Sequence, residues 1–214
     1  MKLVDETIAD YTQLLSSDLP APGGGSAAAL HGALGASLIG MVASLTVGRV
    51  NYAEHEQIMR DVIKRSNELR EYMLEVIDRD TGAYNMVSAA FAMPKKTDED
   101  KEARFHAMQN ALKACTLTPY AIMECAYGVL ELAMVMVGKY NTNASSDLGV
   151  AVLSIKTSAQ SAWLNVLTNL DGIHDEIFSA KYTIAGSELI ENITELADYI
   201  YDDILSRLSG GRFS

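Results

Sequence analysis

Apolar residues recur along this chain at steps of three and four over nearly its whole length, and alternating β-branched runs separated by tight turns are absent. The pattern predicts helix throughout. Residues 2–16 place Val4, Ile8, Tyr11 and Leu15 on one face of a short amphipathic helix, which the PAPGGG segment at 20–25 ends, because prolines and clustered glycines do not continue a helix. Ser26 then stands where an N-cap belongs. From Leu19 to Gly48 there is no Asp, Glu, Lys or Arg, a stretch long enough to cross a bilayer. Its seven glycines and seven alanines make it only weakly hydrophobic, and no aromatic belt flanks it. It is therefore expected to be a central bundle helix, with Gly32, Gly35, Ala36 and Gly40 letting neighbours approach closely, and no membrane partner is expected.

Four further stripes follow. Ile58, Val62, Leu69, Met73, Val76, Tyr84, Val87 and Phe91 share one helical face over about 52–92, before MPKKTDED breaks the pattern. Phe105, Met108, Leu112, Cys115, Pro119, Ile122, Ala126, Val129, Ala133 and Met136 then form a seam with a kink expected at Pro119. After the polar turn YNTNASSD, Leu148, Val152, Ile155, Ala159, Ala162 and Val166 mark a fifth helix, and Leu189, Ile193, Leu196, Ile200, Ile204 and Leu208 a last one. The expected fold class is all-α: an up-and-down bundle of about five long helices after a short N-terminal one. Residues 1–214 read as one domain, since 214 residues with 49% hydrophobic content can bury a core.

Charge and cysteine use narrow the function. Lysine plus arginine total 17 against 28 acids, a net charge of -11, which argues against a nucleic-acid partner because no basic surface is concentrated anywhere. Cys115 and Cys125 fit neither a CxxC pair nor a zinc pattern, and no signal peptide opens the chain, so reduced thiols and a cytoplasmic location are expected. His31, His55, His106 and His174 are scattered singly, so no histidine-built metal site is expected.

Asp80 is the informative anomaly. Val76 lies four residues before it, Tyr84 four after and Val87 seven after, so a carboxylate occupies a position the stripe reserves for core, whereas Asp78 falls on another, solvated face. Burying it without a partner costs several kcal/mol unless its pKa rises or it is hydrogen-bonded. A working acid, a plain salt bridge to a neighbouring helix and a stripe drifting to its boundary all fit the spacing. Gly82 admits either a close ligand or tight packing. Gly23, Gly24 and Gly25 lead into a helix whose free N–H groups and dipole suit an anion or carbonyl oxygen, but no GKS or GKT follows and no strand precedes, which excludes a P-loop. In NTNASSDLGVA, Ser145 or Ser146 is placed to cap the next helix and Asp147 to favour its dipole. Pro94, Lys95 and Lys96 make a basic spot in a turn of an acidic protein.

Taken in order, PAPGGGSAAAL, DTGAYNMVSAAFAMPKKTDEDKEAR and NTNASSDLGVAVL resemble the cyclodeaminase/cyclohydrolase family of folate enzymes over nearly the whole chain. The resemblance implies a helical homodimer binding tetrahydrofolate derivatives, polyglutamylated forms among them, as substrate, with no cofactor or metal. It implies that Asp80, in Asp80-Thr81-Gly82-Ala83-Tyr84, is the catalytic acid. Gly23, Gly24, Gly25, Ser26, Tyr84, Lys95, Asn143, Ser146 and Asp147 match ligand-contact positions, Lys95 facing the glutamyl carboxylates. Relatives commonly carry glycine where this chain has Tyr140, which leaves the shape of that turn open. Two reactions fit: hydrolysis of 5,10-methenyltetrahydrofolate to 10-formyltetrahydrofolate, and release of ammonia from 5-formiminotetrahydrofolate to give the methenyl compound. The absence of a fused formiminotransferase domain favours the cyclohydrolase. A non-catalytic folate-binding dimer is the reading from a different class.

Overall fold

The computed structural model describes residues 2–210. Its described residues form helices α1 (Ile8–Leu15), α2 (Gly24–Ser44), α3 (Glu56–Ala92), α4 (Asp98–Met136), α5 (Ser145–Leu170) and α6 (Glu176–Ser209), with short 3-10 turns at Leu3–Asp5, Val50–His55 and Thr142–Ala144. No strand occurs among them. Five long helices after a short one is the arrangement the apolar periodicity predicts.

α2 is the spine because its small residues let α3 and α5 approach from both sides. A Cβ at Gly32 would lie 2.6 Å from Met73 Cε and 2.9 Å from Ser158 Oγ, and one at Gly35 would lie 2.4 Å from Ile155 Cγ1. Both partners run antiparallel to α2, since Ser26 meets Ile77 on α3 while Gly40 meets Ser66, and Gly24 meets Asn165 on α5 while Gly35 meets Ile155. Ala28, Ala29, Ala36, Ile39, Met73, Val76, Val152, Ile155 and Ala159 close the core around this line, and α4 adds Ile122, Ala126 and Val129. α2 and α4 are each long and apolar enough to span a membrane by length and composition, yet their apolar residues supply this core.

Several local expectations are corrected. Of the N-terminal stripe only Tyr11 is buried; Ile8 is 86% exposed and Val4 and Leu15 sit at the surface, because α1 meets the bundle along a single edge. Gly23, not Ser26, caps α2, and Ser26 is buried three residues inside the helix. Neither Ser145 nor Ser146 caps α5: Ser145 Oγ donates to Thr142 O at 2.7 Å and accepts from the Tyr140 hydroxyl at 3.1 Å. Tyr140 is thus buried beneath the asparagine turn and braces it. Asp78 is not simply solvated, since it accepts from the Leu3 N–H at 2.7 Å and pins the N-terminal segment to α3.

The core stripe of α3 stops near Asp80. Tyr84 and Phe91 are exposed, because α3 and α4, at 37 and 39 residues, outreach the 21 residues of α2 and project as an antiparallel hairpin. At Pro119 α4 runs on without a break. Proline has no N–H to give the Cys115 carbonyl, and Asn169 Nδ2 of α5 donates to that oxygen instead, at 2.8 Å.

Candidate active site

Where the start of α2 crosses α3, two unlike requirements meet. The first turn of a helix carries backbone N–H groups with no intrahelical acceptor, and they carry partial positive charge. Facing them, Asp80 projects from α3 one turn beyond the buried Val76 and Ile77. The approach needs glycine: a Cβ on Gly25 would fall 2.2 Å from Asp80 Oδ1. Ser26 Oγ lies 3.1 Å from Ile77 O and 3.3 Å from Asp80 Oδ2, so its single proton is shared between a carbonyl and the carboxylate. Burial pushes the Asp80 carboxyl above its ordinary range, against the downward pull of the Ser26 side-chain and backbone hydrogen bonds. Asp80 has no salt-bridge partner among the described residues.

Asp80 opens into a cavity of about 230 Å³ whose walls include Gly23, Gly24, Gly25, Thr81, Tyr84, Cys115, Asn165 and Asn169. The geometry therefore gathers six of the sequence-derived candidates: Gly23, Gly24, Gly25, Ser26, Asp80 and Tyr84. The Cys115 thiol is pushed up to about 11 by burial and then by the Asp80 charge, so it stands here as a neutral wall. Tyr11, behind α2, is raised by the same two causes, and its hydroxyl and that of Thr81 are buried without hydrogen-bond partners. Gly82 meets nothing within 4 Å, which removes tight packing as its explanation. No group of three His, Cys, Asp or Glu among the described residues is placed to hold a metal ion.

The remaining candidates lie elsewhere in the chain. Lys95 joins Phe91, Lys101, Arg104, Phe105 and Met108 around a second cavity of about 300 Å³ at the hairpin tip, some 16 Å of helix beyond Asp80. Asn143 lines an open cavity of about 420 Å³ with Arg49, Tyr52 and Asn141 at the far end of α2, where Ser146 and Asp147 begin α5. The length of α2, about 30 Å, separates that end from Asp80. Within one chain the two groups do not meet.

Sequence reasoning missed Asn165, Asn169 and Thr81. The signal for the amides was present but faint: two asparagines one helical turn apart, flanking the buried stripe of Ala162 and Val166.

The family model described as Formiminotransferase-cyclodeaminase matches residues 7–185. The chain belongs to this family. Within it, the chain is 38% identical over 205 residues to the methenyltetrahydrofolate cyclohydrolase of Methylorubrum extorquens, covering 96% of this chain and 99% of that one. It is 29% identical to the formimidoyltransferase-cyclodeaminase of Sus scrofa across 96% of this chain, which is 38% of that longer protein. The crystal structure of formiminotetrahydrofolate cyclodeaminase from Thermotoga maritima superposes with a TM-score of 0.81 over 98% of both chains at 23% identity, which establishes a shared fold. As a family member, the chain carries its buried acid and glycine-led helix on the same helical frame.

Proposed function

We propose that this chain is a methenyltetrahydrofolate cyclohydrolase acting at the Asp80 cavity. The observation that carries the reading is a half-buried carboxylate, raised in pKa and without a cationic partner, held against the glycine-led start of α2. The 38% identity to a full-length cyclohydrolase, against 28–29% to proteins named formimidoyltransferase-cyclodeaminases, supports hydrolysis over deamination.

The chemistry needs a base, then an acid. Water adds its oxygen to the carbon bridging N5 and N10, the π pair of the C=N bond moves onto nitrogen, and Asp80 takes the proton that water loses. The product is a neutral carbinolamine. Asp80 then returns its proton to N5, the C–N5 bond breaks with its electron pair going to N5, and the hydroxyl loses its proton as the formyl C=O forms on N10. One proton leaves overall. The ionised Asp80 also stabilises the cationic substrate before attack, and the free N–H groups of Gly24 and Gly25 suit the carbinol oxygen as charge builds on it. A carboxyl raised by burial suits both duties, because its pKa lies nearer the working pH.

The substrate's glutamyl carboxylates extend along the α3–α4 hairpin to Lys95, joined by Lys101 and Arg104. No cofactor or metal takes part, and the free thiols of Cys115 and Cys125 accord with the cytoplasm. The functional unit is a homodimer. What supports this is the outer face of α2 and α5: Leu34, Met41, Val150, Leu153 and Leu164 are exposed there, no exposed residue on either helix is charged, and Lys156 is tied to Asp198 at 2.5 Å. A two-fold axis across these helices turns one copy end for end, so the partner subunit's Asn143, the partner subunit's Ser146 and the partner subunit's Asp147 approach the Asp80 cavity.

The deciding assay supplies each substrate separately. Loss of methenyl absorbance well above the rate in buffer, with no ammonia released from formiminotetrahydrofolate, is the expected result; ammonia release without hydrolysis would make the protein a cyclodeaminase, and tight folate binding without turnover would make it a binding protein.

A further inference from the structure

We infer that Asn165 holds the attacking water against Asp80, an assignment that rests on the hydrolytic reading of the cavity. Asn165 and Asp80 flank two consecutive residues of one turn. A Cβ on Gly24 would lie 3.4 Å from Asn165 Nδ2 and 3.5 Å from its Oδ1, while a Cβ on the next residue, Gly25, would meet the Asp80 carboxylate. The amide and the acid therefore border successive residues of one turn and line the same cavity of about 230 Å³.

The orientation of the amide is fixed by its neighbour. Asn165 Nδ2 donates to the Ser161 carbonyl at 2.8 Å, and since a carbonyl only accepts, the NH2 must face it and Oδ1 must face away. Asn169 is locked by the same logic against the Cys115 carbonyl, but it lies on the α4 side of the cavity and does not border the glycine turn. Oδ1 of Asn165 is thus a neutral acceptor turned away from Ser161, on a residue that lines the same cavity as Asp80.

A water between them has two hydrogens and two acceptors. One hydrogen points to Asp80 and is transferred as the oxygen attacks; the other stays on oxygen, held by Asn165 Oδ1, and becomes the carbinol O–H. A lone pair is left aimed into the cavity at the substrate carbon. The acceptor has to be an amide. A second carboxylate there would compete for the proton and, as a like charge, would raise the pKa of Asp80 further.

The experiment compares Asn165→Leu, similar in shape but with no acceptor, and Asn165→Asp, which adds a charge, in the whole 214-residue chain, with Asp80→Asn measured alongside. Expected for Asn165→Leu is a fall in kcat of about ten- to a hundredfold, with KM for methenyltetrahydrofolate changed by less than about threefold, because water rather than substrate loses its contact. For Asn165→Asp the acid limb of the kcat profile moves to higher pH. A merely structural role would lower thermal stability or raise KM without moving that limb. If Asp80→Asn abolishes turnover but Asn165→Leu retains kcat within twofold, or Asn165→Asp leaves the acid limb in place, the assignment of Asn165 is wrong; if Asp80→Asn retains turnover, the hydrolytic reading itself fails. Should Asn165→Leu not fold, the pH limb of Asn165→Asp decides alone.

Discussion

The two ends of α2 carry similar residues and put them to opposite use. At the Asn141–Asn143 end the polar groups mostly satisfy one another: the Asn141 N–H donates to Thr46 Oγ1 at 2.9 Å, Asn141 Nδ2 to Leu45 O at 3.1 Å, and the Thr142 N–H to the Tyr52 hydroxyl at 3.2 Å. That end is a self-bonded turn in which Asn143 and Ser146 are exposed and Asp147 half-buried, and none of the three side chains hydrogen-bonds to another described residue. At the glycine end the start of α2, Asn165, Asn169 and the Asp80 carboxylate line one walled cavity, and the acid has no salt-bridge partner among the described residues. Sequence motif alone does not separate polar residues spent on one another from polar residues that line a common space; the hydrogen bonds each already makes do.

The strongest test of the contrast removes the acid. Asp80→Asn is expected to lower kcat/KM by about 10²- to 10⁴-fold, the range for a general acid–base, measured by methenyl absorbance on protein with unchanged helical circular dichroism. The same variant should be the more heat-stable one at neutral pH. In the folded state the pKa of Asp80 is raised, so the unfolded chain ionises first, and stability is lost as pH climbs from the unfolded value through the folded one. The gain in Tm should therefore vanish below the ordinary carboxylate range, and a gap that persists in acid would mean the stabilisation has another source.

A smaller but sharper loss is expected of Gly25→Ala. Alanine favours the helix, yet its Cβ displaces the carboxylate from the turn, so activity should drop by at least about tenfold with the fold intact. Full activity in Gly25→Ala would show that the contact between helix start and acid is incidental. The mildest signal comes from mixing chains. If the asparagine end of one subunit completes the cavity of another, Asp80→Asn and Asp147→Asn proteins, each impaired alone, should on subunit exchange recover about a quarter of the sites, because half the dimers are mixed and each has one intact site. No recovery would confine the chemistry to a single subunit.

Much of the helical frame was legible because packing follows periodicity: the stripes on α2, α4 from Pro119 onward and α5, and Ile193, Ile200 and Ile204 of α6, are buried as spaced. The same argument failed at Tyr84, Phe91 and Phe105, since a repeating pattern marks a face without saying whether anything lies opposite it. Asp80 could be singled out as an acid in an apolar row, and Ser26 and the glycines as its surroundings only through the likeness to a family. Asn165 and Asn169 stayed invisible because what marks them is the direction of an amide, set by carbonyls at Ser161 and Cys115, and direction has no trace in residue order.

Pro119 has a wider effect than its own turn. By leaving the Cys115 oxygen to be claimed from α5, it couples two distant positions, 119 and 169, into one unit of inheritance: a change at either strands the other. The rim of the cavity is accordingly bolted at one point where neighbouring helices would otherwise slide, and a lineage that lost the proline would be expected to lose the asparagine with it.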